Sequence, residues 1–575
     1  MLELNQMGSD ETNNNEEAID KVIHDSAAEL SELNDQFQQW AVDQLNWTTD
    51  NYIGDGYLVH DKPLVMHQNS CIHSIDPRLQ TTKDVAKFAD QLTLKMMDLE
   101  NMINRGELME NDKQGRPLEM DQLWNVFCGY RKPGSLTDSL HRLQDDHSTK
   151  SIVAVCNGHF WQILLPSSED LSKISFHEAF LDIIEESHRM EPADTGLFTT
   201  LPRRKWGNTF NHFAALNAQF ANAVMNSLFI ICLDTDSAYA KNSDNSRVRE
   251  LMLGNLNKTD GYNRWFDKPI QLIVSTAGYW GFNADHSSID GTVLALMVDH
   301  LFSGVQKLNE PKNELVDRQS FPKTRYLRVT LDPKLTSTLE LARTLFKWLN
   351  EEVQIEVVKS PNIGSFSNLS RKTTDFHVDF LAVVACQLAF KEVHGFLPNA
   401  AEYCSLRQYR SGRVSHIQCS SSPYQRFAKY YEEGLEFFGD SLRTAKELLL
   451  AANKEHRNRL KRVLSGTLSV EHLQVLSKFD KNRKCSLLRS DQLAQLDHHH
   501  LKISQVLGKR CISLGGFAST TNQDCYGIFF CPHDSGITFV VAGRRSAEFD
   551  LNTTKFANSL LKHLDTLERI ICTLK

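Results

Sequence analysis

The sequence predicts a mixed α/β protein built as two large domains. Two observations carry this. From Leu123 onward, apolar runs of strand length alternate with stretches whose apolar residues recur at helical spacing. At 575 residues the chain is long enough for two deep cores, and a charged, proline-containing stretch at 309–325 is the clearest linker.

The elements follow in order. Residues 1–18 are acidic and asparagine-rich and read as a disordered tail, neither a secretory leader nor an arginine-rich transit peptide. Residues 19–45 place Ile19, Val22, Ile23, Ala27, Leu30 and Leu33 at helical spacing. A second helix is predicted over 84–104, then a charged, glycine-containing connector at 107–116. The run from Pro269 to Val274 is a strand, Gly278 to Phe282 an aromatic turn, and 292–301 an apolar helix. Beyond the linker, 336–350 is helical, 353–359 is a strand and 378–393 is an apolar helix. The chain closes with strands at 528–530 and 536–542 and a helix at 555–574, and no short-period repeat is evident.

Composition narrows the class. The 63 basic and 72 acidic residues give a net charge of −9 with no basic stripe, which argues against nucleic acid as a partner. No window approaches the roughly 18 apolar residues of a transmembrane helix. Twelve cysteines lack Cys-x-x-Cys pairing, which suits reduced thiols and a cytoplasmic protein. The last residues, Cys572 to Lys575, are not a Ser-Lys-Leu type signal. The adjacent His498, His499 and His500 cannot converge on one ion unaided, so they read as a polar loop and no metal is expected.

The most informative stretch is Asn283 to Gly291. It sets His286 after a strand and an aromatic turn, puts Asp290 four residues later, and leads into an apolar helix. That is a common way to mount a base at a rigid edge. Alone, a His-x-x-x-Asp is more often a satisfied structural histidine.

The surroundings favour chemistry. Asn263-Arg264-Trp265-Phe266-Asp267-Lys268 followed by His286-Ser287-Ser288-Ile289-Asp290-Gly291 resembles the choline/carnitine O-acyltransferase family. Further family-like segments occur in order: Leu123 to Phe127 with Arg131, Pro133, Gly134 and Asp138; Ile152 to Ile163; Gly196 to Thr200 with Trp206; Leu228 to Asp234; Ser405-Leu406-Arg407 with Gly412-Arg413; Leu501 to Val506; and Tyr526-Gly527. The similarity runs from about Trp47 to the C-terminus. It implies two similar mixed α/β domains of the CoA-dependent, chloramphenicol acetyltransferase-like type, with the active-site tunnel between them. On that pattern 19–85 is an N-terminal helical segment packing on the second domain, 86–325 the first domain with the catalytic histidine, and 326–575 the second.

The resemblance also implies roles. His286 is the general base, and no acyl-enzyme is needed. Asp290 pairs with Arg413 to brace the catalytic loop. Ser504, in Leu501-Lys502-Ile503-Ser504-Gln505-Val506, is the oxyanion donor, although Lys502 and Ile503 replace the family's other hydroxyl residues. Coenzyme A is the co-substrate: Lys372 keeps one of two phosphate-binding lysines, Arg371 stands near the other, now Asn368, and Asp379 and Ser405 align near the pantetheine arm. The three groups that hold a carnitine carboxylate become Ala401, Val414 and Glu471, although a small register shift could let Tyr403, two residues on, serve as the tyrosine.

The function so implied is acetyl or short-acyl transfer between acyl-CoA and a small quaternary-ammonium alcohol, with a choline-like acceptor favoured because Glu471 would repel a carboxylate. Two alternatives stand beside it: a carnitine acyltransferase whose carboxylate site is rebuilt around Arg410 or Lys502, and a weakly active or inactive binding protein of the same fold. The expected partners are small molecules, and the expected state is a monomer.

Overall fold

The computed structural model describes residues 22–572 apart from 68, 113, 143–149, 166–170, 172–173, 237–242, 255–261, 308–321, 361–375, 434–438, 470, 492, 495–497, 507–512, 517–523, 534–535 and 547–548. The expected tail at 1–18, most of the linker at 309–325, and Arg371 and Lys372 lie outside the described residues.

The strands, numbered along the chain, are β1 (Asn69–Ile75), β2 (Gly129–Lys132), β3 (Ser139–Arg142), β4 (Ser151–Cys156), β5 (His159–Leu164), β6 (Ile230–Asp234), β7 (Ile270–Ser275), β8 (Tyr279–Asp285), β9 (Lys323–Tyr326), β10 (Val353–Ser360), β11 (Ala400–Ser405), β12 (Val414–Gln418), β13 (Leu501–Gln505), β14 (Ser513–Gly516), β15 (Tyr526–His533) and β16 (Gly536–Arg544). They form an eight-stranded sheet in the order β14-β1-β8-β7-β6-β4-β5-β9, a six-stranded sheet in the order β10-β16-β15-β13-β11-β12, and the hairpin β2-β3. The fold class is therefore mixed α/β.

The chain divides into two compact units, Ile53–Ile355 with Val506–Ser519, and Met1–Tyr52 with Glu356–Gln505 and Thr520–Lys575. This division differs from boundaries at 85/86 and 325/326, for reasons of pairing. β1 lies between β14 and β8, which draws residues 53–85 into the first unit. β9 runs antiparallel to β5, from Trp161↔Tyr326 to Leu164↔Lys323, so the end of the expected linker is a strand of that same sheet.

In the first unit, β7 and β8 form an antiparallel hairpin turned at Gly278, whose φ of +80° suits a residue without a Cβ. The aromatic run read as a turn is thus mostly strand. Every residue of β8 is buried, and a strand covered on both faces shows no alternation in its sequence. β8 delivers the chain to His286, and the helix Gly291–Lys307 follows.

In the second unit, β11, β13 and β15 run parallel while β12 and β16 are antiparallel to their neighbours. One face carries Ala400, Leu501, Ile503, Tyr526, Ile528 and Phe530 into a core with the helices Val378–His394 and Thr553–Cys572. Side chains alternate across a strand, so the register puts Ala401, Tyr403, Ser405, Val414, His416, Lys502 and Ser504 on the opposite face. The helix Ala27–Ala41 packs Leu30, Leu33 and Phe37 against Val475, Leu476 and Leu487 of this unit. Among the described residues, no helix is long and apolar enough to cross a membrane.

Candidate functional site

The first unit holds His286 at the exit of β8. Its Nδ1 lies 3.1 Å from the Ile289 carbonyl and 3.3 Å from Asp290 Oδ1, and the side chain is 28% exposed, enough for a substrate to reach. The Tyr57 ring stands 5.3 Å from the imidazole. Asp290 is buried and is held by Gln122, whose Nε2 donates to Oδ2 at 2.8 Å and whose Oε1 accepts from the Asp290 backbone at 2.8 Å. A neutral histidine with Nδ1 on a carboxylate and a carbonyl has a fixed tautomer, with the proton on Nδ1 and the lone pair on Nε2.

Beneath this loop lies a buried ionic network. Asp285 accepts from Arg131 Nη1 at 3.2 Å and from the Ser287 hydroxyl. Arg131 also donates to Asp138 at 2.7 Å and to the Tyr57 carbonyl at 2.7 Å. Arg203 bridges Asp138 and Asp267 at 2.7 Å each, and Trp206 Nε1 donates to Asp267 at 2.7 Å. Burial raises the Asp138 carboxyl, but Arg203 and Arg131 more than offset it, so Asp138 sits below its usual range. Burial wins at Asp267, which sits above it.

The Asn263-to-Lys268 segment is structural. Arg264 grips Asp234 with two bonds of 2.9 and 2.8 Å. Lys268 Nζ donates to the carbonyls of Val224, Met225 and Ser227 at 3.3, 3.2 and 2.5 Å, closing the C-terminal end of the helix Ala218–Asn226. Burial pulls the Lys268 ammonium down to about 7.

The second unit gathers most of its sequence-predicted residues on the face described above. Ser504 on β13 pairs with Tyr403 on β11, and Tyr403 pairs with His416 on β12. Ala401 pairs with Lys502, and Ser405 with Val414. Arg413 is buried just before β12, its carbonyl accepting from Leu406. Asp379 lies elsewhere: it accepts from Gln505 at 2.5 Å, and Gln505 is one position beyond Ser504 and so projects from the core face. Its carboxyl is raised by burial and by Glu402.

Glu471 is not a bare acidic wall. Its carboxylate accepts from Ser415 Oγ at 2.9 and 3.1 Å and from Ser469 Oγ at 2.8 Å, and lies 3.5 Å from His416 Nδ1. Burial raises this carboxyl, but His416 and Ser469 overcome it and hold it at about 2. Gln122 and His416 were absent from the sequence-level site, and Ser415 stood there only as an unusual residue after Val414. Gln122 acts 168 positions from Asp290, and Ser415 and His416 gain meaning only once Glu471 is folded beside them.

Two further groups bear on chemistry. Burial pushes the thiols of Cys156, Cys232 and Cys404 up to about 12, which removes them as nucleophiles at neutral pH. His498 Nε2 lies 2.7 Å and His500 Nε2 3.7 Å from Asp524 Oδ2, a grouping small enough for a cation. However, His500 Nδ1 accepts from the Asn399 backbone at 3.1 Å, which leaves the proton of the neutral ring on Nε2, the nitrogen that faces Asp524.

A family model described as choline/carnitine O-acyltransferase matches residues 4–562. The chain is similar to carnitine O-acetyltransferase of Mus musculus, 25% identical over 538 residues covering 90% of this chain and 82% of that protein. It is likewise similar to choline O-acetyltransferase of Danio rerio, 25% identical over 480 residues covering 80% and 74%. Among solved structures, the wax ester synthase/diacylglycerol acyltransferase from Marinobacter aquaeolei VT8 matches with a TM-score of 0.35 and 12% identity, over 92% of this chain and 99% of that one. With a positioned histidine in a matching loop and a family match along nearly its whole length, the chain belongs to the choline/carnitine O-acyltransferase family and is an acyltransferase enzyme.

Proposed function

We propose that the protein moves an acetyl or other short acyl group between coenzyme A and the hydroxyl of a carboxylate-free amino alcohol of the choline class. The observation that carries this reading is the fixing of His286 through Nδ1 by Ile289 and Asp290. Nε2 takes the proton of the acceptor hydroxyl as its oxygen attacks the thioester carbonyl. The oxyanion of the tetrahedral intermediate is stabilised by the Ser504 hydroxyl. Collapse breaks the carbon–sulfur bond, and the departing thiolate recovers the proton from His286. No acyl-enzyme forms, in keeping with cysteine thiols held near 12.

Acceptor choice rests on Ala401 and Val414, neither of which offers a charge or side-chain hydrogen bond to a carboxylate, and on Glu471, an anion near the same face. A second reading has one observation in its favour. Lys502 pairs with Ala401 on the Ser504 face, where a cation could meet a carnitine carboxylate. Coenzyme A phosphate contacts by Arg371 and Lys372, a brace role for Arg413, a monomeric state and a cytoplasmic setting belong to the same proposal and rest on the sequence alone.

The deciding experiment is thiol release from acetyl-CoA with choline, carnitine and other amino alcohols. Transfer to choline or a related alcohol with poor transfer to carnitine is the expected result. A preference for carnitine would replace this reading with the Lys502 one, and failure of every acceptor in the panel to elicit thiol release would leave only a binding role.

A further inference from the structure

Resting on that reading, we infer that His416 is a specificity-determining residue that accepts a hydrogen bond from the acceptor's ammonium group. The preferred acceptors are then amino alcohols bearing an N–H, which the quaternary nitrogen of choline lacks.

Position is the first argument. His416 pairs with Tyr403, and Tyr403 with Ser504, across adjacent strands. Directly paired residues project from the same face, so His416 stands two strand spacings, about 10 Å, from the proposed oxyanion donor. That span leaves room for a hydrogen bond of about 3 Å at each end and, between them, the tetrahedral centre and a two-carbon amino alcohol. The Tyr403 ring lies 5.5 Å from the imidazole and offers an aromatic face to a cation.

The second argument is the state of the ring. Glu471 lies 3.5 Å from Nδ1, and its carboxylate also accepts from the hydroxyls of Ser415 and Ser469. The carboxylate places the proton of the neutral ring on Nδ1, which makes Nε2 a hydrogen-bond acceptor. Nε2 is buried and has no hydrogen-bond partner among the described residues. A buried acceptor without a donor is costly, and native proteins leave few of them. The neighbouring His499, with its ring 5.2 Å away, accepts from Gln418 through its own Nε2. An anion behind the imidazole makes Nε2 electron-rich, so a cationic donor fits it better than a neutral one.

The test is a series of acceptors: ethanolamine, its N-methyl and N,N-dimethyl forms, and choline. Only the last has no N–H. Acetyl transfer should show kcat/KM for N,N-dimethylethanolamine above that for choline by about tenfold or more, carried mainly in KM, because a site built to receive an N–H rejects the analogue without one. His416→Leu should bring the ratio between these two acceptors close to one. His416→Gln, whose amide oxygen accepts, should restore part of it.

Equal or better use of choline by the unmodified enzyme would overturn the inference, and would indicate that water fills the Nε2 position. An unchanged ratio in both variants would overturn it as well. If His416→Leu does not fold, the parent ratio and His416→Gln still decide. Acylation of choline without a step in the series sinks this inference alone, whereas acylation of no member sinks the proposed reaction and the inference with it.

Discussion

Gln122 clasps Asp290 with both ends of its amide, donating from Nε2 to the carboxylate and accepting at Oε1 from the same residue's backbone, each at 2.8 Å. One side chain thereby sets both the carboxylate and the chain that follows His286. Because a backbone N–H only donates, the amide orientation is determined by chemistry. Asp290 in turn faces His286 Nδ1 at 3.3 Å, so Gln122 reaches the imidazole through one intermediary.

Gln122→Leu should therefore slow catalysis without touching substrate. The expected outcome is a fall in kcat of roughly tenfold with little change in KM, the pattern of a misplaced base. Gln122→Glu should recover less than Gln122→Asn, since a second carboxylate would face Asp290. Steady-state kinetics with acetyl-CoA checks this, and a loss confined to KM would show that Gln122 shapes binding instead.

His286→Ala should lower turnover by at least about 10², the usual scale for losing a general base, while coenzyme A still binds. Calorimetric titration with coenzyme A separates the two effects. Turnover within a few-fold of the parent would remove His286 from the chemistry.

The contiguous parts of this site were legible and the discontiguous parts were not. His286 and Asp290 sit in one short run, but the resemblance assigned Asp290 to Arg413, and the 3.3 Å approach of its carboxylate to the imidazole came only with the structure. Gln122 belongs to a separate helix, Asp121–Val126, with nothing local to mark it. Glu471 was read as an acidic wall because pattern reveals charge and not partners; the two serines and the histidine that engage it arrive from before its own helix and from the edge strand β12. The helices at 84–104 and 378–393 were visible because they are long and periodic, and the structure extends them only to Thr82–Asn104 and Val378–His394. β8 was missed because a strand buried on both faces loses its alternation.

The buried network beneath the loop makes a stability prediction. Removing Arg131 leaves Asp138 and Asp285 short of a partner at sites closed to water. Arg131→Met should cost on the order of 3–5 kcal/mol, the range for breaking a buried pair from one side. Urea unfolding monitored by tryptophan fluorescence measures it. A loss under about 1 kcal/mol would mean that Arg203 alone satisfies Asp138.

Glu471 yields a prediction with a definite pH window. Its folded carboxyl is held at about 2, below the ordinary value of 4.5, by His416 and Ser469 acting against the opposing effect of burial. The unfolded state therefore binds more protons than the folded state between those two values, and stability falls as pH drops through the window. The contribution is fully present above about 4.5 and is lost towards 2, with a size of order 3 kcal/mol from the width of the shift. Glu471→Gln cannot titrate, so its stability should lack this component. Urea unfolding of both proteins at pH 6, 4 and 3 should show the gap between them narrowing as acid is added, with other carboxylates cancelling in the difference. Parallel pH profiles would show that Glu471 is not held as an anion in the folded protein, and the fixed Nδ1 proton assigned to His416 would lose its cause.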